Sequence, residues 1–85
     1  MVGSIKIIGV NSIYQDWMGK EFENCELRAL DPSIHALVIP EKEAINLQIY
    51  KTSVLESSLV FESMCTIDGD MGRIAIEFTP NKWNI

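Results

Sequence analysis

Short segments in which apolar and polar residues alternate recur along this chain. The clearest runs through residues 45–50, where Ile45, Leu47 and Ile49 alternate with polar neighbours. A period of two sends one set of side chains to each face of a β-strand. Turn-forming residues such as Pro40 bound the segments. The chain is therefore predicted to form β-strands that each bury one face.

Six strands are predicted from this pattern, and short loops connect them. They span residues 4–10, 21–30, 34–39, 45–50 and 58–67, with a last strand through Ile74, Ile76 and Phe78. Short strands at roughly ten-residue spacing, without a long helix, are typical of small all-β domains. We expect an all-β fold: a small antiparallel barrel of about six strands, SH3-like or OB-like, with a β-sandwich as the alternative.

Two stretches fit more than one local structure. Residues 13–18 are predicted to form one helical turn that ends at Gly19, with an irregular loop as the alternative. Residues 53–65 fit a helix or a strand, because Ser53 and Glu56 have the spacing of a helix-capping box. The apolar alternation that follows favours one turn and then a strand, and this is our prediction.

The first strand is apolar on both faces. Ile5 and Ile7 lie on one face, and Ile8 and Val10 on the other. Strands of this kind are usually covered on both sides. We therefore predict that both faces of this strand are buried.

The size and charge of the chain restrict what it can bind. Its 85 residues are expected to form one domain, residues 1–85, because single cores belong to chains of about 50 to 200 residues. Seven Lys and Arg residues against twelve Asp and Glu give an acidic chain with a net charge of −5. The scattered basic residues attract phosphate weakly, so we expect no nucleic-acid partner.

Residues that bind metals or act as nucleophiles are few. Cys25, His35 and Cys65 are the only soft metal ligands, and no pair has the spacing of a zinc site. Each lies on a predicted inward face. We therefore expect the two cysteines to be small core residues. We expect His35 to be a partly buried structural residue with satisfied hydrogen bonds. We expect no metal, no cofactor and no enzymatic activity. An enzyme that uses a Cys/His pair is an alternative, since the two residues supply a nucleophile and a base.

The chain has no feature that predicts export or membrane insertion. Its apolar runs are far shorter than the ~20 residues of a membrane-spanning helix. Its amino terminus lacks the apolar core of a secretory signal. We therefore expect a cytoplasmic protein without a membrane partner, with both cysteines as free thiols because thiols stay reduced in that compartment.

Large aromatic residues are candidates for contact with another protein. Tyr14, Trp17 and Trp83 are predicted to form a partner-binding surface, because aromatic residues are enriched in interfaces. The alternative is that Trp17 fills one end of the barrel.

The third predicted strand, residues 34–39, is apolar on both faces although only one face of a barrel strand points inward. Ile34, Ala36 and Val38, or the residues opposite them, need cover. A second copy supplies it by packing face to face or by extending the sheet at an edge. We therefore expect a small noncatalytic protein-interaction module that forms a homodimer, with a small-molecule binding protein as an alternative.

Residues 58–79 contain a strand, an Asp-Gly loop and a strand that begins GRIAIEFT. This quarter of the chain resembles hairpins in bacteriophage tail and baseplate β-domains. The resemblance implies a structural β-domain as a further alternative.

Overall fold

One β-sheet closes on itself to form a six-stranded antiparallel barrel in the computed structural model, which describes residues 1–11, 15–42, 44–67 and 69–81. The strands are β1 (Val2–Asn11), β2 (Glu21–Ala29), β3 (Ile34–Val38), β4 (Ile45–Val54), β5 (Leu59–Ile67) and β6 (Asp70–Pro80). Each strand pairs with the next along the chain, and β1 also pairs with β6. The predicted all-β barrel of SH3-like or OB-like size is confirmed, and the β1–β6 ladder selects it over the sandwich.

Side chains from all six strands fill the interior of the barrel. The buried apolar residues are Ile5, Ile7, Cys25, Leu27, Leu37, Ile39, Ile45, Leu47, Phe61, Cys65, Ile74, Ile76 and Phe78. Most are alternate residues of their strands, as the period of two predicts. The ring centroids of Phe61 and Phe78 lie 6.5 Å apart, within the range of favourable aromatic pairs. Because the interior is filled, binding surfaces belong to the outer face and the strand edges.

A bulge in β1 changes which of its residues face the core. Ile7 pairs with Ile76 and Gly9 with Ala75, so Ile8 is an extra residue in the ladder. Beyond the bulge the alternation resumes in the opposite phase. Ile8 is 37% exposed, whereas Val10 packs against the core. The prediction that both faces of this strand are buried is therefore wrong at Ile8.

The turn between β4 and β5 lies later in the chain than predicted. Ser53 and Val54 still pair with β5, and the Leu55 amide donates to the Ser58 carbonyl at 2.9 Å. The helical alternative for residues 53–65 is wrong. β4 has ten residues and β3 only five, so half of β4 extends beyond β3.

Two short connections set where neighbouring strands begin. Before β2, a 3₁₀ turn spans Gln15–Trp17, and Gly19 has a φ of 82°, which glycine adopts without strain. Residues 13 and 14 of the helical turn predicted over 13–18 lie outside the described residues. Before β3, Asp31 Oδ1 accepts hydrogen bonds from the amides of Ser33 and Ile34, both at 3.0 Å. The Asp31 turn therefore fixes the start of β3 at Ile34.

Candidate interaction surfaces

The register of the central strands brings outward-facing residues side by side. Leu37 and Leu47 are fully buried, so the residues that alternate with them face outward. Cross-strand partners lie on the same face of a sheet. Two outward rows result: Ile34, Gln48 and Met64 in one, and Ala36, Asn46 and Thr66 in the other.

These rows form a groove of about 310 Å³ on the outside of the barrel. We call it the outer groove, and its lining residues are Leu30, Ile34, Asn46, Leu47, Gln48, Met64, Thr66 and Met71. Leu30, Ile34 and Met71 are 60%, 37% and 69% exposed, respectively. Apolar side chains interspersed with amides and hydroxyls are typical of surfaces that bind proteins.

The outer groove contains only part of the predicted self-association face. Ile34 lines it, and Ala36 and Val38 are half-buried outward residues of the same strand. Sequence analysis missed Leu30, Met64 and Met71. Each is isolated in its own segment, and only the register of the barrel brings them together.

An ion pair borders this face on β2. Arg28 Nε lies 2.6 Å from Glu26 Oε1, and a second bond joins Nη2 to Oε2 at 3.1 Å. Hydrogen bonding by Arg28 lowers the pKa of the Glu26 carboxyl group. Arg28 lies opposite Ala36 and Glu26 opposite Val38. The two charges balance each other beside β3 and leave no net charge there.

A second cavity lies where β4 extends beyond β3. We call it the edge cavity; it has a volume of about 380 Å³ and is lined by Pro32, His35, Ile49, Tyr50, Lys51, Thr52 and Phe61. The ladder between β3 and β4 ends with the pair Ile34 and Gln48. One more hydrogen bond, from the Ile49 amide to the Ser33 carbonyl at 3.0 Å, follows it. The edge cavity therefore occupies the position that a longer β3 would fill.

His35 lines the edge cavity from β3. Its Nδ1 atom is buried and has no hydrogen-bond partner among the described residues. This differs from the expected structural histidine with satisfied hydrogen bonds. A buried polar atom without a partner costs free energy, so His35 marks a place where the packing is not optimised for stability.

Of the three residues in the predicted aromatic surface, Trp17 alone lies within the described part of the chain. This side chain is half-buried and packs against the core, with its ring centroid 5.9 Å from that of Phe22. Tyr14 and Trp83 lie outside the described residues. The aromatic partner-binding surface therefore stays a prediction.

The two cysteines are free thiols in the interior of the barrel. Burial raises the pKa of the Cys25 and Cys65 thiols, so both are protonated at neutral pH. Cys25 Sγ lies 3.6 Å from the Phe22 carbonyl oxygen. Within the described ranges neither thiol is hydrogen-bonded to His35. This arrangement lacks the activated thiolate that cysteine nucleophiles require.

Two further searches of the described residues concern metals and membranes. No group of three or more His, Cys, Asp or Glu residues in this part of the chain is placed to hold a metal ion. In the same residues, no helix has the length and apolar character needed to cross a membrane.

Comparison with known proteins identifies no relative of this chain. No family model, no curated protein sequence and no solved structure matches this chain. Functional inference therefore depends on the geometry of the surfaces described above.

Proposed function

We propose that this protein is a small noncatalytic interaction module that binds a second copy of itself through the outer face around β3. The single observation that carries the proposal is the outer groove, in which Leu30, Ile34 and Met71 are exposed together. Apolar surface of this kind becomes buried when proteins associate. The free thiols favour a reducing compartment, and we propose the cytoplasm.

A second copy suits this face because its chemistry complements itself. In a two-fold dimer the same patch of each copy takes part in the contact, so the patch must be complementary to itself. The apolar side chains of the outer groove can pack against the second copy, and Asn46 and Gln48 can each donate and accept hydrogen bonds. Since Glu26 and Arg28 neutralise each other, two copies of this face do not repel.

The chain offers a matched pair of substitutions to test the proposal. Ile34 and Ile8 are both isoleucines and both 37% exposed, but Ile34 lines the outer groove and Ile8 lies on the bulge of β1. Ile34→Glu introduces a charge that dimerisation would bury, and we expect it to weaken self-association about tenfold or more. Ile8→Glu should leave it unchanged.

Sedimentation velocity over a range of micromolar concentrations measures the effect. A wild-type dimer that Ile34→Glu dissociates and Ile8→Glu does not supports the proposal. A wild-type chain that stays monomeric throughout the range contradicts it, as does an equal effect of the two substitutions. Circular dichroism of both variants confirms that the barrel is folded.

A further inference from the structure

In the described part of the chain, one edge of β4 has no neighbouring strand over residues 50–54. On its other side, this segment pairs with β5 through Lys51 to Glu62, Thr52 to Phe61 and Val54 to Leu59. Toward β3, hydrogen bonding ends at the Ile49 amide. Among the described residues, the backbone groups that 50–54 directs to this side have no backbone partner. Unpaired strand edges of this kind bind a further strand.

Two apolar side chains of this segment are exposed. Tyr50 is the extra residue of a bulge, because Ile49 pairs with Ser63 and Lys51 with Glu62, and it is 57% exposed. Val54, at the end of β4, is 78% exposed. The edge cavity is lined by Tyr50, Lys51 and Thr52. An added strand would supply partners for the backbone of the regular segment that follows the bulge.

The regular part of the edge, beyond the bulge at Tyr50, can pair with itself. If two copies align antiparallel with the two-fold axis at Thr52, Lys51 of each copy lies opposite Ser53 of the other. No two like charges meet, and Lys51 already has a carboxylate partner in Glu62, 3.5 Å away.

We propose that residues 51–53 of β4 pair antiparallel with the same residues of a second copy, so that a short ladder of backbone hydrogen bonds joins two barrels. This inference rests on the proposed self-association and specifies its geometry. The added strand continues the line of β3 past Ser33, whose carbonyl accepts the last bond from Ile49. It therefore adjoins the outer face that begins at Ile34.

Charge substitutions at Ser53 test the register, because their expected effects have opposite signs. Ser53→Glu places a carboxylate opposite Lys51 of the second copy, twice per dimer, and should strengthen dimerisation roughly threefold to tenfold. Ser53→Lys places two lysines opposite each other and should weaken it by a similar factor. Ala44 is exposed directly before β4, at the end away from Ser53, and Ala44→Glu and Ala44→Lys are the matched controls.

A cysteine at the two-fold axis gives an independent readout. Cα atoms of directly opposed residues lie about 4.5 to 5.5 Å apart, which is within the range that a disulfide can bridge. Thr52→Cys should therefore form a covalent dimer under mild oxidation, and Ala44→Cys should not. The native thiols contribute little background, since both are buried.

The outcomes separate this inference from the proposed function. Opposite effects of the two Ser53 substitutions, with cross-linking at residue 52, support the β4 pairing. A dimer that Ile34→Glu dissociates but that neither Ser53 substitution changes overturns the pairing and leaves the proposed function intact. Effects of the same sign for Ser53→Glu and Ser53→Lys also overturn it, as does a dimer that Thr52→Cys does not cross-link.

Discussion

The carbonyl oxygen of Thr79 occupies the space where a side chain on Gly3 would begin. A Cβ atom at Gly3 would also lie only 2.9 Å from the Phe78 ring and from Pro80 Cα. Gly3 pairs with Cys25 on β2 and with Pro80 on β6. The close approach therefore lies at the seam where β1 joins both neighbours and closes the barrel.

Gly3→Ala should destabilise the fold, because the contacting atoms of Thr79 and Pro80 are backbone and cannot move without shifting β6. We expect a loss of about 1–3 kcal/mol in the free energy of unfolding, as for other overpacked sites. Gly9→Ala is the control, since its Cβ would lie 3.3 Å from the Ala75 side chain. Urea denaturation of both variants measures the difference, and equal losses would contradict the close-packed seam.

Asp31→Ala should also destabilise the protein, because it removes the acceptor of two amide hydrogen bonds at the start of β3. We expect a loss of about 1 kcal/mol. Asp31→Asn retains a side-chain oxygen and should cost less than the alanine substitution. Asp16→Ala, at another exposed aspartate, controls for the change in net charge. If the Asp31→Ala and Asp16→Ala variants were equally stable, the hydrogen bonds of Asp31 would not be what fixes the start of β3.

The buried thiols predict a loss of stability at alkaline pH. Burial raises the pKa of Cys25 and Cys65 above the ordinary value of 9.0 in the folded state. As pH rises, the unfolded chain loses these protons before the folded chain does. The folded state therefore has its full stability below about pH 9 and becomes less stable above it. Cys25→Ala and Cys65→Ala should each make the fall of unfolding free energy with pH less steep above about pH 8. Ser63→Ala, at a buried hydroxyl, should leave that slope unchanged; unchanged slopes in both cysteine variants would refute the prediction.

Two substitutions on the outer face of β3 should behave differently despite adding the same charge. Ala36→Glu places its carboxylate opposite Arg28, whereas Val38→Glu places one opposite Glu26. Like charges directly across a ladder destabilise it. We expect Val38→Glu to lower the stability of the monomer by about 0.5–1 kcal/mol and Ala36→Glu to leave it nearly unchanged. Both should weaken the proposed dimer, as thermal melts combined with sedimentation velocity can test; equal stability losses would contradict the register.

Local patterns predicted the strands well where a single face is buried. Ile45 and Leu47 alternate with polar residues, and both are buried as expected. The pattern failed at Ile8, because a bulge shifts the phase of a strand without a signal in the alternation. It was ambiguous near Ser53, where a helix-capping motif is compatible with the end of a long strand. Hydrogen bonds between distant segments decide such cases.

The amino-acid sequence by itself determined the all-β class, the alternate burial of most strand residues and the glycine at position 19 that ends the turn before β2, because these depend on neighbours along the chain. Only the tertiary structure decided that β1 closes on β6, that Leu30, Ile34 and Met71 share one groove, and that β4 extends beyond β3. These relationships depend on register and on differences in strand length, and both arise from contacts between residues far apart in sequence. The candidate surfaces lie where those long-range contacts end, at an outer groove and at an uncovered edge.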